Sequence, residues 1–298
     1  MTPFEVEKLN RRFGAKARIA FRLDSCGFPV ASLVCKYGAA EVSLYGAQVM
    51  TYRATGQGPV LFLSDKAVYE KGKAIRGGIP LCWPWFGRRE GLPAHGFART
   101  SMWRVLSTSY CDESVELTLG MTDTPESKEI FPYSFAVQLR INLGQSLEME
   151  LITRNAGIAP LPLSPAFHPY FRVMRLPEIS IGDIDGGRYE SFTDGSKGEI
   201  SGERKIVEAT DMLVYTPRNH AEINDPVLSR KIDITFSGAK SIVVWNPGEE
   251  ACRAISDLDD EAYTRFVCVE PAISGKDAVT VKPGERHTLK MNIQPRLI

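Results

Sequence analysis

The chain has 298 residues, 43% of them hydrophobic and 24% charged, so it has the material for a sizeable core and reads as neither disordered nor membrane-embedded. Thirty-six basic residues balance thirty-six acidic ones. That balance excludes the global field that binding to nucleic acid or to an anionic membrane surface would draw on.

The start, Met1 to Lys8, carries acidic residues and lacks the apolar run of a secretory signal, and no later stretch is long enough to span a bilayer. A cytoplasmic protein is the expectation. Lys66 to Ala74 reads as a short helix. Apolar residues then alternate with polar or small ones, the mark of strands with one buried face, at Val115 to Met121, at Phe135 to Leu143 and at Leu147 to Leu151. The Gly144-Gln145-Ser146 link between the last two predicts a hairpin. Ile232, Ile234 and Phe236 alternate, Ile242 to Trp245 form an apolar run, and Glu249 to Tyr263 holds room for another short helix. Val279 and Val281 lead through Pro283-Gly284-Glu285 into Leu289, Met291 and Ile293, which reads as a second hairpin. Many short strands, nineteen prolines and twenty-five glycines spread throughout, and no βαβ alternation argue for an all-β fold, a large antiparallel β-sandwich with few short helices. No linker, repeat or composition shift marks a boundary, so residues 1–298 read as one domain.

Two segments do not read as ordinary strands. The first runs from Ile75 through Arg76-Gly77-Gly78-Ile79-Pro80-Leu81-Cys82-Trp83-Pro84-Trp85-Phe86-Gly87 to Arg88-Arg89 and on to Ala94-His95-Gly96-Phe97-Ala98-Arg99. Tryptophan offers a flat apolar face to a sugar ring, arginine a planar fork of donors to phosphate or hydroxyl oxygens, and glycine a close backbone approach. Trp83 and Trp85 serve equally well as platforms or as core anchors, and the arginines as ligands or as solvated charges. In the second segment, Leu161 to Phe171, His168 lies between Phe167 and Pro169, where desolvation tunes an imidazole for proton transfer or simply buries it in the core.

Glu270 ends the apolar run Phe266 to Val269 just before Pro271, so a strand would aim its carboxylate rigidly, either into a cleft as a base with raised pKa or into solvent. Asp211 is ambiguous on the same grounds. His220 and His287 lie in polar surroundings and read as surface residues. The six cysteines show no C-x-x-C pair and no histidine at zinc-ligand spacing, which predicts reduced, mostly buried thiols. Cys268 precedes Glu270 by two residues but has no basic neighbour in sequence, so no catalytic thiol is expected there.

Taken in order, R-G-G-I-P-L-C-W-P-W-F-G, L-P-A-H-G-F-A-R, F-H-P-Y-F and V-E-P resemble the glucose-6-phosphate 1-epimerase branch of the aldose 1-epimerase family, over most of the chain. The resemblance implies a galactose-mutarotase-like β-sandwich whose cleft opens on one sheet. It also implies interconversion of the α and β anomers of a hexose 6-phosphate. Free-sugar aldose 1-epimerase activity and non-catalytic carbohydrate binding are the rival readings.

Carried over by position, His168 resembles the family's general acid and Glu270 its general base, acting from opposite sides of a space the size of a pyranose. Arg76 and Arg99 match phosphate and sugar contacts, His95 a second active-site histidine and Asp211 a hydroxyl acceptor. Trp83 and Arg88 are added as substrate contacts. Two positions depart from the pattern: Ala94 stands where some members have glutamine, and Met212 follows Asp211 where arginine is common. The implied partner is a small sugar phosphate taken up by a monomer, with no cofactor and no metal, in keeping with the lack of a metal-ligand cluster or P-loop glycines.

Overall fold

A computed structural model describes residues 1–298. The alternating segments form strands that assemble into two large antiparallel sheets. One has nine strands in the order Arg204–Lys205, Ser180–Gly182, His220–Asp225, Arg230–Ser237, Arg286–Leu297, Leu147–Asn155, Phe135–Leu143, Val115–Thr122 and Arg104–Tyr110. The other has eight: Lys197–Glu199, Arg188–Ser191, Thr210–Tyr215, Ser241–Asn246, Phe266–Ala272, Ala166–Phe167 and Leu81–Cys82 in order, with Tyr170–Arg172 also paired to Phe266–Ala272. A four-stranded sheet, Ile19–Leu23 to Gln48–Ala54, and a two-stranded pair complete the fold.

The period of two explains why these sheets stack. On the nine-stranded sheet Leu139, Ile141, Leu151, Ile234 and Ile293 face inward; on the eight-stranded sheet Met212, Val214, Val244, Val267 and Val269 do the same, and all ten belong to one core cluster. Their alternate neighbours Leu213, Val243 and Cys268 fall in separate, smaller clusters on the opposite face of the eight-stranded sheet. The expected sandwich is therefore present, and that opposite face carries the cleft described below.

Three local expectations resolve differently. The Gly144 hairpin forms, with Leu143 opposite Leu147. The Pro283-Gly284 hairpin does not: Val279–Val281 pairs with Leu161–Leu163, whereas Arg286–Leu297 pairs with Leu147–Asn155 and Arg230–Ser237. Asn155 redirects the chain there, its side-chain amide donating to the Val281 carbonyl and its backbone N–H to that of Glu285. Lys66 to Ala74 is a turn-rich loop rather than a helix. Tyr45 pins it, the hydroxyl accepting from Gly72 N–H and donating to the Lys73 carbonyl at 3.0 Å, contacts a helix would not present. The Glu249 to Tyr263 region holds a short helix, Gly248–Ala254, and a 3₁₀ turn, Ala262–Arg265.

The helix at Pro3–Phe13 rests on a local signal. Thr2 accepts from Glu5 N–H while the Glu5 carboxylate accepts from Thr2 N–H, a reciprocal capping box with proline at the first turn. No helix is long and apolar enough to cross a membrane.

Candidate active site

Chain segments far apart in sequence converge on the outward face of the eight-stranded sheet around a cleft of about 1070 Å³, at the upper end of the roughly 300–1,000 Å³ usual for small-molecule sites. Arg76, Arg88, His95, Arg99, His168, Asp211 and Glu270 all line it. The sheet register explains why distant residues meet. Asp211 lies opposite Trp245, Trp245 opposite Cys268, and Val243 opposite Glu270, so the odd-even alternation of three adjacent strands delivers Asp211, Trp245 and Glu270 to one area. Met212, the departure beside Asp211, points into the core by the same alternation, so the difference there does not touch the cleft.

His168 occupies the gap between the short strands Ala166–Phe167 and Tyr170–Arg172, held by its N–H donating to the Pro80 carbonyl at 3.0 Å. Its ring stacks on Tyr170 with centroids 4.9 Å apart and meets Trp245 edge-on at 5.8 Å. Its Nδ1 lies 3.5 Å from Glu270 Oε1. The acid and base candidates thus sit side by side at the cleft floor, not on opposite sides of it. Glu270 is 1% exposed and His168 8%, yet His168 Nδ1 and Glu270 Oε2 have no hydrogen-bond partner in the protein. Buried polar atoms are ordinarily paired, because an unmade bond costs about 1–3 kcal/mol. Two unpaired atoms on buried residues at the cleft mark groups held ready for a ligand.

Burial also tunes the titrations. It pushes the Glu270 carboxyl well above the usual carboxylate range, with the Asp211 charge adding to the effect and Arg99 opposing it. His168 is held well below the ordinary imidazole value by burial, then by His95, Arg99 and Arg76. Burial raises Asp211 as well. His95 is pushed down to about 3 by burial and by Arg99, Arg76 and Arg88. Its Nδ1 accepts from Gly87 N–H at 3.3 Å, which leaves the proton on Nε2 and makes the ring a neutral donor.

The loop that presents His95 is conformationally demanding: His95 has φ +61°, and Gly96, at φ +72°, approaches the Trp83 carbonyl so closely that a Cβ would lie 2.1 Å from its oxygen. Gly77, Gly78 and Gly96 therefore serve backbone against backbone, whereas Gly87, in the cleft lining, has open space beside it.

The arginines divide by depth. Arg76 is fixed from two sides, Nε donating to Asp257 Oδ1 and Nη1 to the Tyr170 hydroxyl, each at 3.0 Å. Arg99 Nη2 donates to the Ala94 carbonyl at 2.9 Å, so the backbone of Ala94 has a role its missing side chain cannot supply. Arg88 is exposed and has no protein partner.

Trp83 is corrected outright. It is fully buried, its indole N–H donates to Thr153 Oγ1 at 2.9 Å, and its ring packs edge-on against Phe97, Phe131 and Phe135. It is a core anchor and does not line the cleft. Trp245, half-buried against His168 and Tyr170, supplies the aromatic wall, with Phe86 and Phe192 nearby in the lining. Its signal was the odd position of an apolar strand run, visible in sequence only once the register is known. Of the other histidines, His220 is half-buried between Asp183 and Asp233, and His287 contacts the Gly238 carbonyl. A second depression, about 850 Å³ at the Arg188–Ser191 edge, carries mixed charges and no histidine.

Residues 32–294 match the family described as Aldose 1-epimerase. The chain belongs to that family. This epimerase is 31% identical over 251 residues to a protein of Escherichia coli strain K12 that carries the provisional name glucose-6-phosphate 1-epimerase, covering 83% of this chain and 84% of that one. A protein of Cenchrus ciliaris with the same provisional name is 33% identical over 265 residues, 83% of this chain and 78% of the relative. The crystal structure of YeaD from Salmonella typhimurium, described provisionally as a mutarotase, superimposes with TM-score 0.90 at 25% identity, over 99% of this chain and all of that one. As an aldose 1-epimerase the chain is an isomerase that interconverts sugar anomers.

Proposed function

We propose that the cleft interconverts the α and β anomers of a hexose 6-phosphate, with glucose 6-phosphate the first substrate to test, through His168 as acid and Glu270 as base. The names carried by the relatives support the substrate. The observation that carries the chemistry is the 3.5 Å contact between two buried, unsatisfied groups.

Opening a pyranose removes the proton of O1 and delivers one to O5 as the C1–O5 bond breaks and C1–O1 becomes a carbonyl. Rotation about C1–C2 and reclosure give the other anomer. O1 and O5 share one carbon, so acid and base must be neighbours, and the side-by-side arrangement suits this better than groups flanking the ring. The pair has to hold one proton in total. Glu270 accepts the O1 proton as His168 gives one to O5, and closure reverses both. Burial favours the uncharged form of the pair at rest, with the proton on Glu270. Closing the contact by about half an ångström to hydrogen-bond length lets that proton pass to the imidazole.

His95, a neutral ring in the cleft lining with its proton on Nε2, donates to a sugar oxygen. Asp211 accepts from ring hydroxyls, and the half-buried face of Trp245 packs against the ring. Arg88, free of protein partners at the cleft mouth, is the proposed phosphate contact, with Lys73 also in the lining.

Exchange NMR with glucose 6-phosphate, galactose 6-phosphate and free glucose side by side tests the reading. Glucose 6-phosphate should be the fastest of the three; equal acceleration of free glucose would reject the phosphate assignment. Replacing Arg88 with alanine should lower kcat/KM for the phosphorylated sugar about 10–100-fold relative to glucose, the equivalent of ~1.5–3 kcal/mol for a charge-assisted contact.

A further inference from the structure

Cys268 is a buried thiol beside the acid–base pair that the proton-transfer chemistry leaves unused. It lies two residues before Glu270 on the strand Phe266–Ala272, so both side chains leave the same face of the sheet. Its sequence partners across the ladder are Tyr170 and Trp245, two residues of the cleft wall. One donor atom each from His168, Cys268 and Glu270 lie within 4.8 Å of one another. The three residues are 8%, 0% and 1% exposed, and His168 Nδ1 and Glu270 Oε2 lack partners.

We propose that these three side chains form a site for a soft divalent cation, Zn²⁺, whose binding switches the cleft off. Zinc bonds of about 2.0–2.3 Å to nitrogen, oxygen and sulfur make the edges of a tetrahedron roughly 3.4–3.8 Å long. The 3.5 Å His168–Glu270 contact already has that length. The sulfur needs to close by about 1 Å, within reach of a side-chain rotation.

An imidazole, a thiolate and a carboxylate make a mixed set that favours zinc over magnesium or calcium, which prefer oxygen alone. The thiol proton of Cys268 and the proton resting on Glu270 both go to solvent as the Zn–S and Zn–O bonds form, with no change of oxidation state. Thiolate and carboxylate then neutralise the ion, so no unpaired charge is left in the buried floor. His168 and Glu270 line the cleft, which gives the ion its way in. Inhibition follows because the nitrogen and oxygen lone pairs are held by the metal; that consequence rests on the acid–base reading of the pair, whereas the site does not.

The test uses reduced protein in which the exposed Cys26 and Cys111 are serine throughout, so that they cannot compete. Titration with zinc chloride against a competing chelator should give one ion per chain. Cys268→Ser and, separately, His168→Ala should each weaken binding at least tenfold, since even outer-shell changes cost metal sites about 10–100-fold. Cobalt(II) in place of zinc should show a thiolate-to-metal absorption band that Cys268→Ser removes. Equimolar zinc should stop anomer exchange and EDTA restore it, while Cys268→Ser keeps metal-free turnover and resists zinc.

Absence of stoichiometric binding, or affinity and cobalt spectrum unchanged in both variants, would overturn the site. Binding that leaves turnover untouched would overturn the switch. Metal-free protein without anomer exchange would refute the functional reading and leave the titration and spectrum to decide the site.

Discussion

The two faces of the eight-stranded sheet are built from the same strands and do opposite things. Toward the core, Met212, Val214, Val244, Val267 and Val269 present only carbon and sulfur and belong to a 61-residue cluster. Toward the cleft, the intervening positions supply Asp211, Trp245 and Glu270, with His168 beside them. Nearby core polar groups are paired, as Trp83 is with Thr153, whereas His168 Nδ1 and Glu270 Oε2 are not. Burial alone therefore does not separate a structural from a functional side chain, and neither does an unpaired atom alone, since Gln48 Oε1 and Arg230 Nε also lack partners; the two coincide at a cleft only at His168 and Glu270.

Two tryptophans put that contrast to its largest test. Trp83→Ala should destabilise the protein by ~3–5 kcal/mol, as expected for a large aromatic removed from a packed core, measured by chemical denaturation. Trp245→Ala should leave most of the stability and raise KM about 2–10-fold, the ~0.5–1.5 kcal/mol of one aromatic contact. If Trp83→Ala unfolds no more easily than Trp245→Ala, the division between the faces fails.

Glu270→Gln sharpens it at a smaller scale. Because the folded carboxyl has a raised pKa, the folded state binds more protons than the unfolded one above the ordinary carboxylate value, and stability falls as pH rises through that window. Removing the ionisable group should lower kcat by about 10²–10⁴ and raise Tm by roughly 2–4 °C at neutral pH, about 1 kcal/mol. An unchanged or lower Tm would show that the site stores no such penalty.

Asp211→Asn gives the smallest shift. Asp211 raises the Glu270 pKa, so its neutralisation should move the alkaline limb of the pH–rate profile to lower pH, where the pair loses its last proton earlier. An alkaline limb that stays in place or moves up would separate the two carboxylates.

Much of this was readable from the residues. Alternation at Phe135 to Leu151 and the Gly144 turn predict strands whose pairing is local, and the structure has them. What the residues conceal is register. Val279 to Ile293 looks like a hairpin because a Pro-Gly turn separates two alternating runs, but Asn155, more than a hundred positions away, decides the pairing. Trp83 and Trp245 differ in role for the same reason: one faces Thr153 across the sandwich and the other faces His168 across the cleft, and neither neighbour is near in sequence. The capping box at Thr2 and Glu5 shows the converse, a local signal sufficient by itself. Placement of His168, Glu270, Arg76, His95, Arg99, Asp211 and Arg88 around one cleft followed from the family resemblance; the 3.5 Å contact and the unpaired atoms needed coordinates.

The most direct test is the rate of anomer exchange of glucose 6-phosphate by folded His168→Ala and Glu270→Ala proteins against the unmodified enzyme. Each loss should cost about 10²–10⁴ in kcat, the range for a positioned acid or base, with circular dichroism unchanged. A near-normal rate in either variant would contradict the shared-proton pair.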